Sequence, residues 1–192
     1  MRFDPACILK YMFKKLPVYI STNEEGYKFN LYLLIYPQWV LTVFTTLRYQ
    51  SLFYKGIVQD INTFEYANSI TKPTPGGNLL SNLYHMYLPL LDTRFTVATF
   101  VEPSSGLVPI SPLFQNLAWT EREISEMYGI KFKNKKDNRH LLLDYSFTGF
   151  PMIKSFPVSG VVELFYSVTA GVIRYYGLGL FESSKIENNF DF

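Results

Sequence analysis

The sequence predicts an α+β fold: a mixed, antiparallel-rich sheet with helices packed on it, followed by an extended C-terminal strap. Three observations carry this reading. Residues 27–36 alternate, with Phe29, Leu31, Leu33 and Ile35 on one side and Lys28, Asn30, Tyr32 and Tyr36 mostly on the other, as a half-buried strand does. Two apolar runs, 79–91 and 94–102, are separated by Asp92-Thr93, a hairpin signal. Helix-spaced apolar residues after Pro37, and again from residue 121 to 128, supply layers that can cover such a sheet.

Taken in order, residues 1–16 have the pattern of an amphipathic basic helix. Asp4, Pro5 and the shortage of Ser and Arg make them a poor organellar presequence, and no secretory signal is present. Residues 29–47 are uncharged over 19 positions, which meets the crude length test for a membrane span. The interior argues against one, because the strand alternation stops at Tyr36. Pro37 then opens a helical stretch carrying Trp39, Val40, Val43, Phe44 and Leu47. No transmembrane segment is expected. Residues 52–61 read as a further strand, and 70–78, with Pro73, Pro75, Gly76 and Gly77, as a loop. The hairpin of 79–102 follows, closed by Pro103-Ser104-Ser105-Gly106. Ser111-Pro112 suggests a short helix through Leu117.

Residues 121–128 then read as a helix with its signals written out. Thr120 and Glu123 have capping-box spacing, Trp119 and Ile124 sit at staple positions, and Gly129 suits a left-handed C-terminal stop. Glu121 and Glu123 match the positive end of the helix dipole, but Arg122 between them does not, so Arg122 requires a carboxylate or carbonyl partner. Beyond it, Pro151 and Pro157 bias Phe150 and Phe156 toward extended backbone and exclude an ordinary helix. Fully extended, 147–160 would span roughly 45 Å. Phe147, Phe150, Met152, Ile153, Phe156 and Val158 are too apolar for a free linker, so the segment reads as a strap that lies on a partner. Residues 161–181 are apolar and broken by Gly171, Gly177 and Gly179; they suggest a strand or short helix that docks. The organisation is therefore a domain over 1–145 and a partner-binding segment over 146–192.

Composition bounds the function. Hydrophobic content of 48%, with 18% aromatic and only 18% charged residues, exceeds what a core needs and suits interfaces, though an AT-rich genome would also favour Phe, Tyr and Ile. A net charge of +2 gives no electrostatic case for nucleic acid. Lys131, Lys133, Lys135, Lys136 and Arg139 cluster, which a solvated loop explains about as well as an anion or partner contact does. Cys7 is the single cysteine, which excludes an intrachain disulfide, a cysteine zinc site and an iron–sulfur cluster held by this chain alone. His85 and His140 lack metal-site spacing. No nucleotide, phosphate-loop or hydrolase motif is present, and Glu121 with Glu123 is better explained by helix capping than by acid–base chemistry.

The run E-R-E-x-x-E-M-Y-G-I at 121–130, the basic cluster ending at Arg139, and G-x-P-x-x-K-x-F-P-x-x-G at 149–160 together resemble a known signature. It is that of the cofactor-free peripheral-arm protein of respiratory complex I, the NADH:ubiquinone oxidoreductase. The signature covers about 42 residues (119–160). The family usually has Asp in place of Glu126, Gly-His-Pro in place of Asn134-Lys135-Lys136, His in place of Phe150, and Arg-Lys-Asp in place of Ile153-Lys154-Ser155. The resemblance implies a structural component of the quinone-reducing module, with flavin mononucleotide, iron–sulfur clusters and ubiquinone carried by other chains. It implies as partners the quinone-site subunit related to hydrogenase large subunits and the adjoining iron–sulfur subunits. Glu121, Arg122, Glu123, Glu126, Arg139, Pro151, Lys154, Phe156, Pro157 and Gly160 are the motif positions expected to contact them. The implied location is the matrix face of the mitochondrial inner membrane, or the cytoplasmic face of a bacterial membrane, and the AT-rich composition favours a mitochondrially encoded protist protein. Rival readings are the equivalent scaffold of a membrane-bound nickel–iron hydrogenase and a free-standing small-molecule enzyme.

Overall fold

A computed structural model describes residue 11 and residues 18–25, 28–51, 55–66, 79–90, 92–102 and 105–178. Five strands form one mixed sheet in the order β1-β2-β5-β4-β3. They are β1 (Val18–Glu25), β2 (Lys28–Ile35), β3 (Ile57–Tyr66), β4 (Leu79–Leu88) and β5 (Thr93–Val101). Only the β2–β5 pairing is parallel; the other three are antiparallel. The predicted α+β, antiparallel-rich sheet is therefore present.

Alternation decides which face each strand buries. Leu31, Leu33 and Ile35 on β2, Phe95, Val97 and Val101 on β5, and Leu80, Tyr84, Met86 and Leu88 on β4 form one continuous core. Helix α1 (Val40–Tyr49) adds Val40, Val43, Phe44 and Leu47, all fully buried. Phe44 meets Tyr84 edge-on at 5.1 Å between ring centres and Phe114 at 6.2 Å, the T-shaped arrangement that aromatic quadrupoles favour. A 3-10 turn at Pro37–Trp39 precedes α1, so strand followed by helix replaces any membrane span over 29–47. Among the described residues, no helix is long and apolar enough to cross a membrane.

Several sequence expectations need correction. β1 has no counterpart among the predicted elements, and β3 runs over Ile57–Tyr66 rather than 52–61. The β3 pattern is blurred by a bulge between Val58 and Asp60, which breaks the alternation, and by a carboxylate, Glu65, on the buried side. Ser111-Pro112 begins turns rather than a helix, followed by a 3-10 turn at Gln115–Leu117. That turn runs straight into α2 (Ala118–Tyr128), which starts two residues before the expected cap. Thr120 is therefore inside the helix, and the capping box with Glu123 does not form. The expected stop is present: Gly129 has φ 77° and its N–H donates to Ser125 O. The readings of 1–16 (apart from Tyr11) and of 70–78 fall outside the described residues.

The strap is less stretched than its prolines suggested. Successive turns fold it, with the N–H of Ile153 donating to Phe150 O, Phe156 to Ile153 O and Gly160 to Pro157 O. Pro151 pre-sets φ at the second position of the first turn, so it favours turning as readily as extension. After it comes a separate hairpin, β6 (Val162–Ser167) and β7 (Val172–Gly177), where the sequence allowed one strand or a short helix.

Candidate partner interface

Helix α2 is the organising element of the motif, and its charged residues Glu121, Arg122 and Glu126 turn inward while Glu123 faces out. Glu121 is fully buried. One carboxylate oxygen accepts the backbone N–H groups of Ile110 (2.7 Å) and Ser111 (2.9 Å), and the other accepts Lys135 Nζ at 3.1 Å. Lys135 also donates to Ala118 O at 2.9 Å. Its side chain is 6% exposed, so the two charges form a buried ion pair. Burial pulls the Lys135 pKa below its ordinary value against the attraction of Glu121. The solvated-loop reading of this lysine is thus wrong, whereas Lys131, Lys133 and Lys136 are exposed as expected. Asn134 takes φ 59° immediately before it, a left-handed conformation that Asn tolerates where the resembled signature has Gly.

Glu126 does the same work one turn and a half further on. Its carboxylate accepts the N–H groups of Leu141 (2.9 Å) and Leu142 (2.7 Å), with that of Leu143 at 3.5 Å and His140 Nδ1 at 3.2 Å. Burial on its own would raise the Glu126 pKa, but these donors together outweigh it and hold the group below its ordinary value of 4.5. A carboxyl group more acidic when folded than when unfolded contributes stability above about pH 4.5, which is lost as pH falls through the lowered folded value. Acid unfolding of the chain and of Glu126→Gln should therefore converge below that pH and differ above it. Circular dichroism against pH checks this; a constant offset between the two curves at all pH values would contradict it.

Arg122 finds its partners inside the fold. Nε donates to Arg139 O and Nη2 to His140 O, both at 3.0 Å, and the guanidinium lies 5.7 Å from the Trp119 ring centre. Asp137 stands 3.7 Å away and pairs more closely with Arg139, at 3.0 Å. The Arg139 side chain and backbone N–H hold the Asp137 carboxyl well below the usual carboxylate range. A planar fork reaches two neighbouring carbonyls where a point charge cannot. Arg122→Lys should consequently fail to rescue Arg122→Ala, each losing about 1.5–3 kcal/mol of stability in a urea titration. Equal stability of the Lys variant and the parent chain would show that charge alone suffices.

The first half of the strap is latched to the domain at three points. Met152 N–H donates to Met127 O at 3.1 Å, Lys154 N–H donates to a carboxylate oxygen of the buried Glu65, and Phe150 packs over Gly129. A methyl group at Gly129 would stand 2.8 Å from the Phe150 ring, so the glycine serves both the helix stop and the ring's seat. Phe147 and Phe156 meet at 5.8 Å. Sequence reasoning missed Glu65 because nothing marks a strand carboxylate as an anchor; its place on the buried side of β3 would have been the only signal.

The motif positions therefore divide. Glu121, Arg122 and Glu126 hold the loop 131–143 to α2, while Glu123 and Arg139 are exposed. Lys154, Pro151, Phe156, Pro157 and Gly160 are half-buried along the strap, with Gly160 at φ 80°. Large apolar side chains also face water: Trp119, Leu142, Tyr145, Met152 and Val158, then most of those of the hairpin. Among the described residues, no group of three or more His, Cys, Asp or Glu is arranged to hold a metal ion.

Residues 33–162 match the family model described as "Respiratory-chain NADH dehydrogenase, 30 Kd subunit". The chain belongs to that family. Among its relatives, "NADH-ubiquinone oxidoreductase subunit 9" of Dictyostelium citrinum is 37% identical over 97 residues, covering 50% of this chain but only 46% of the relative. The protein of the same name in Acanthamoeba castellanii is 30% identical over 184 residues, covering 94% of this chain and 88% of the relative. The fold is similar to a chain in the structure of the membrane-bound sulfane sulfur reductase, an archaeal respiratory membrane complex. There the TM-score is 0.55 at 14% identity, covering 72% of this chain and 76% of that one.

Proposed function

We propose that this chain is a structural and assembly subunit of the quinone-reducing module of a proton-pumping NADH:ubiquinone oxidoreductase. In this reading NADH oxidation, electron transfer and quinone reduction are performed by other chains, which carry the flavin, the iron–sulfur clusters and the quinone. Its neighbours are the quinone-site subunit related to hydrogenase large subunits and the adjoining iron–sulfur subunits. Its place is the matrix face of the mitochondrial inner membrane, and the relatives' names favour this complex over a hydrogenase.

The observation that carries the reading is a division of labour within the family signature. Of the charged residues in 121–139, Glu121, Arg122, Glu126 and Lys135 are bonded to the chain's own backbone or to one another, so these four are not free for acid–base chemistry. The surface left over, on the strap and hairpin, is apolar and aromatic, the composition of an interface. Affinity purification through a tag on this chain, under conditions that keep complexes whole, tests it. NADH-oxidising complex should co-purify, and the chain released from it by denaturant should carry neither iron nor flavin. Stoichiometric iron or flavin on the released chain, or turnover by the chain alone, would overturn the proposal.

A further inference from the structure

The register of the C-terminal hairpin sorts its side chains into two unlike faces. Leu164 pairs with Tyr175 and Tyr166 with Ile173, while Phe165 pairs with Arg174 and Glu163 with Tyr176. Because side chains alternate along a strand, Val162, Leu164, Tyr166, Ile173 and Tyr175 share one face. That face carries no charge. The opposite face holds both charges of the hairpin, Glu163 and Arg174, together with Phe165, Ser167, Val172 and Tyr176, and Phe165 and Tyr176 cover one another edge-on at 5.8 Å. On the uncharged face, Leu164 is 62% and Tyr175 65% exposed.

We infer that the hairpin docks through its Val162–Leu164–Tyr166–Ile173–Tyr175 face onto an uncharged, apolar surface of another subunit of the same complex, leaving the Glu163–Arg174 face toward water. The inference rests on the assembly role proposed above and adds to it the side of the hairpin that is used. Three considerations select this occupant. A lone two-stranded hairpin is marginal in water, so one with an uncovered apolar face needs a covering surface to persist. An anionic bilayer would be met by Lys or Arg, and the uncharged face has none. Six-residue strands side by side cover only about 20 Å by 10 Å, less than the ~800 Å² per partner of a standard interface. The face must therefore act together with the outward Val158 and Val161 that lead into it and with Met152 on the strap. That continuity favours the surface that receives the strap over a second hairpin from another copy.

Photocrosslinking in the intact complex tests this, with benzoylphenylalanine placed singly at Leu164, Tyr175, Phe165 or Tyr176. The Leu164 and Tyr175 probes should crosslink to another subunit at least five times more efficiently than the Phe165 and Tyr176 probes. Leu164→Glu should lower the amount of assembled complex at least tenfold, and Phe165→Glu less than twofold. Equal crosslinking from both faces, crosslinks to lipid, or crosslinks between copies of this chain would overturn the inference while leaving complex membership intact. Absence of the unmodified chain from any NADH-oxidising complex would instead overturn the assembly role.

Discussion

Glu121→Ala should unfold the chain under conditions in which the parent is fully folded. The substitution strands the Lys135 ammonium in a site where its side chain is 6% exposed. It also removes the acceptor of two backbone N–H groups, those of Ile110 and Ser111. Breaking a buried pair from one side typically costs about 3–5 kcal/mol, roughly half of the stability of a marginal domain. Replacing both partners by apolar residues, Glu121→Leu with Lys135→Met, should recover part of the loss, because no charge is then left buried. Urea midpoints of the parent, single and double variants measure this. A single variant within about 0.5 kcal/mol of the parent would show that the pair is hydrated in solution.

Removal of the hairpin should have the opposite profile. A chain ending at Gly160 keeps the sheet, both helices and the strap's three latches, so its unfolding midpoint should match that of the full chain. It loses the exposed Val162, Leu164, Tyr166, Ile173 and Tyr175 of β6 and β7, and fully burying each such side chain contributes ~1.5–3 kcal/mol to association. Assembly of the complex should fall at least tenfold. Ending the chain at Asp144 should be worse on both counts, because Glu65 then loses the Lys154 N–H and Gly129 loses the Phe150 ring. Native-gel quantification of assembled complex, beside the midpoint of each free chain, separates the two effects. Normal assembly of the chain ending at Gly160 would remove the hairpin from the interface.

Where local chemistry decides structure, the sequence was readable. The alternation at 28–35, the proline opening of α1, the hairpin around Asp92 (φ 46°) and the glycine stop at 129 are all as the residues predicted. The need of Arg122 for a carboxylate or carbonyl was also legible from its clash with the helix dipole, although the sequence could not say whether the partner lay inside or outside the chain. The failures are non-local. The capping box at Thr120 was overridden because the 3-10 turn at Gln115–Leu117 is held to β3 by Asn116 Nδ2 donating to Val58 O at 2.7 Å, which fixes an earlier helix start. The burial of Lys135 depends on Glu121, fourteen residues away, and the latch of Lys154 on Glu65, eighty-nine away. No periodicity encodes such pairs.

Motif charges brace this chain internally, and the apolar C-terminal surface is the part proposed to meet partners. Backbone hydrogen exchange, compared between the free chain and the assembled complex, tests it most directly. The amides of Leu141 and Leu142, which donate to Glu126, should be protected in both states. The amides of 162–177 should exchange rapidly in the free chain and become at least a hundredfold slower in the complex. Equal protection of the hairpin in both states, or protection of Leu141 and Leu142 only on assembly, would contradict the account.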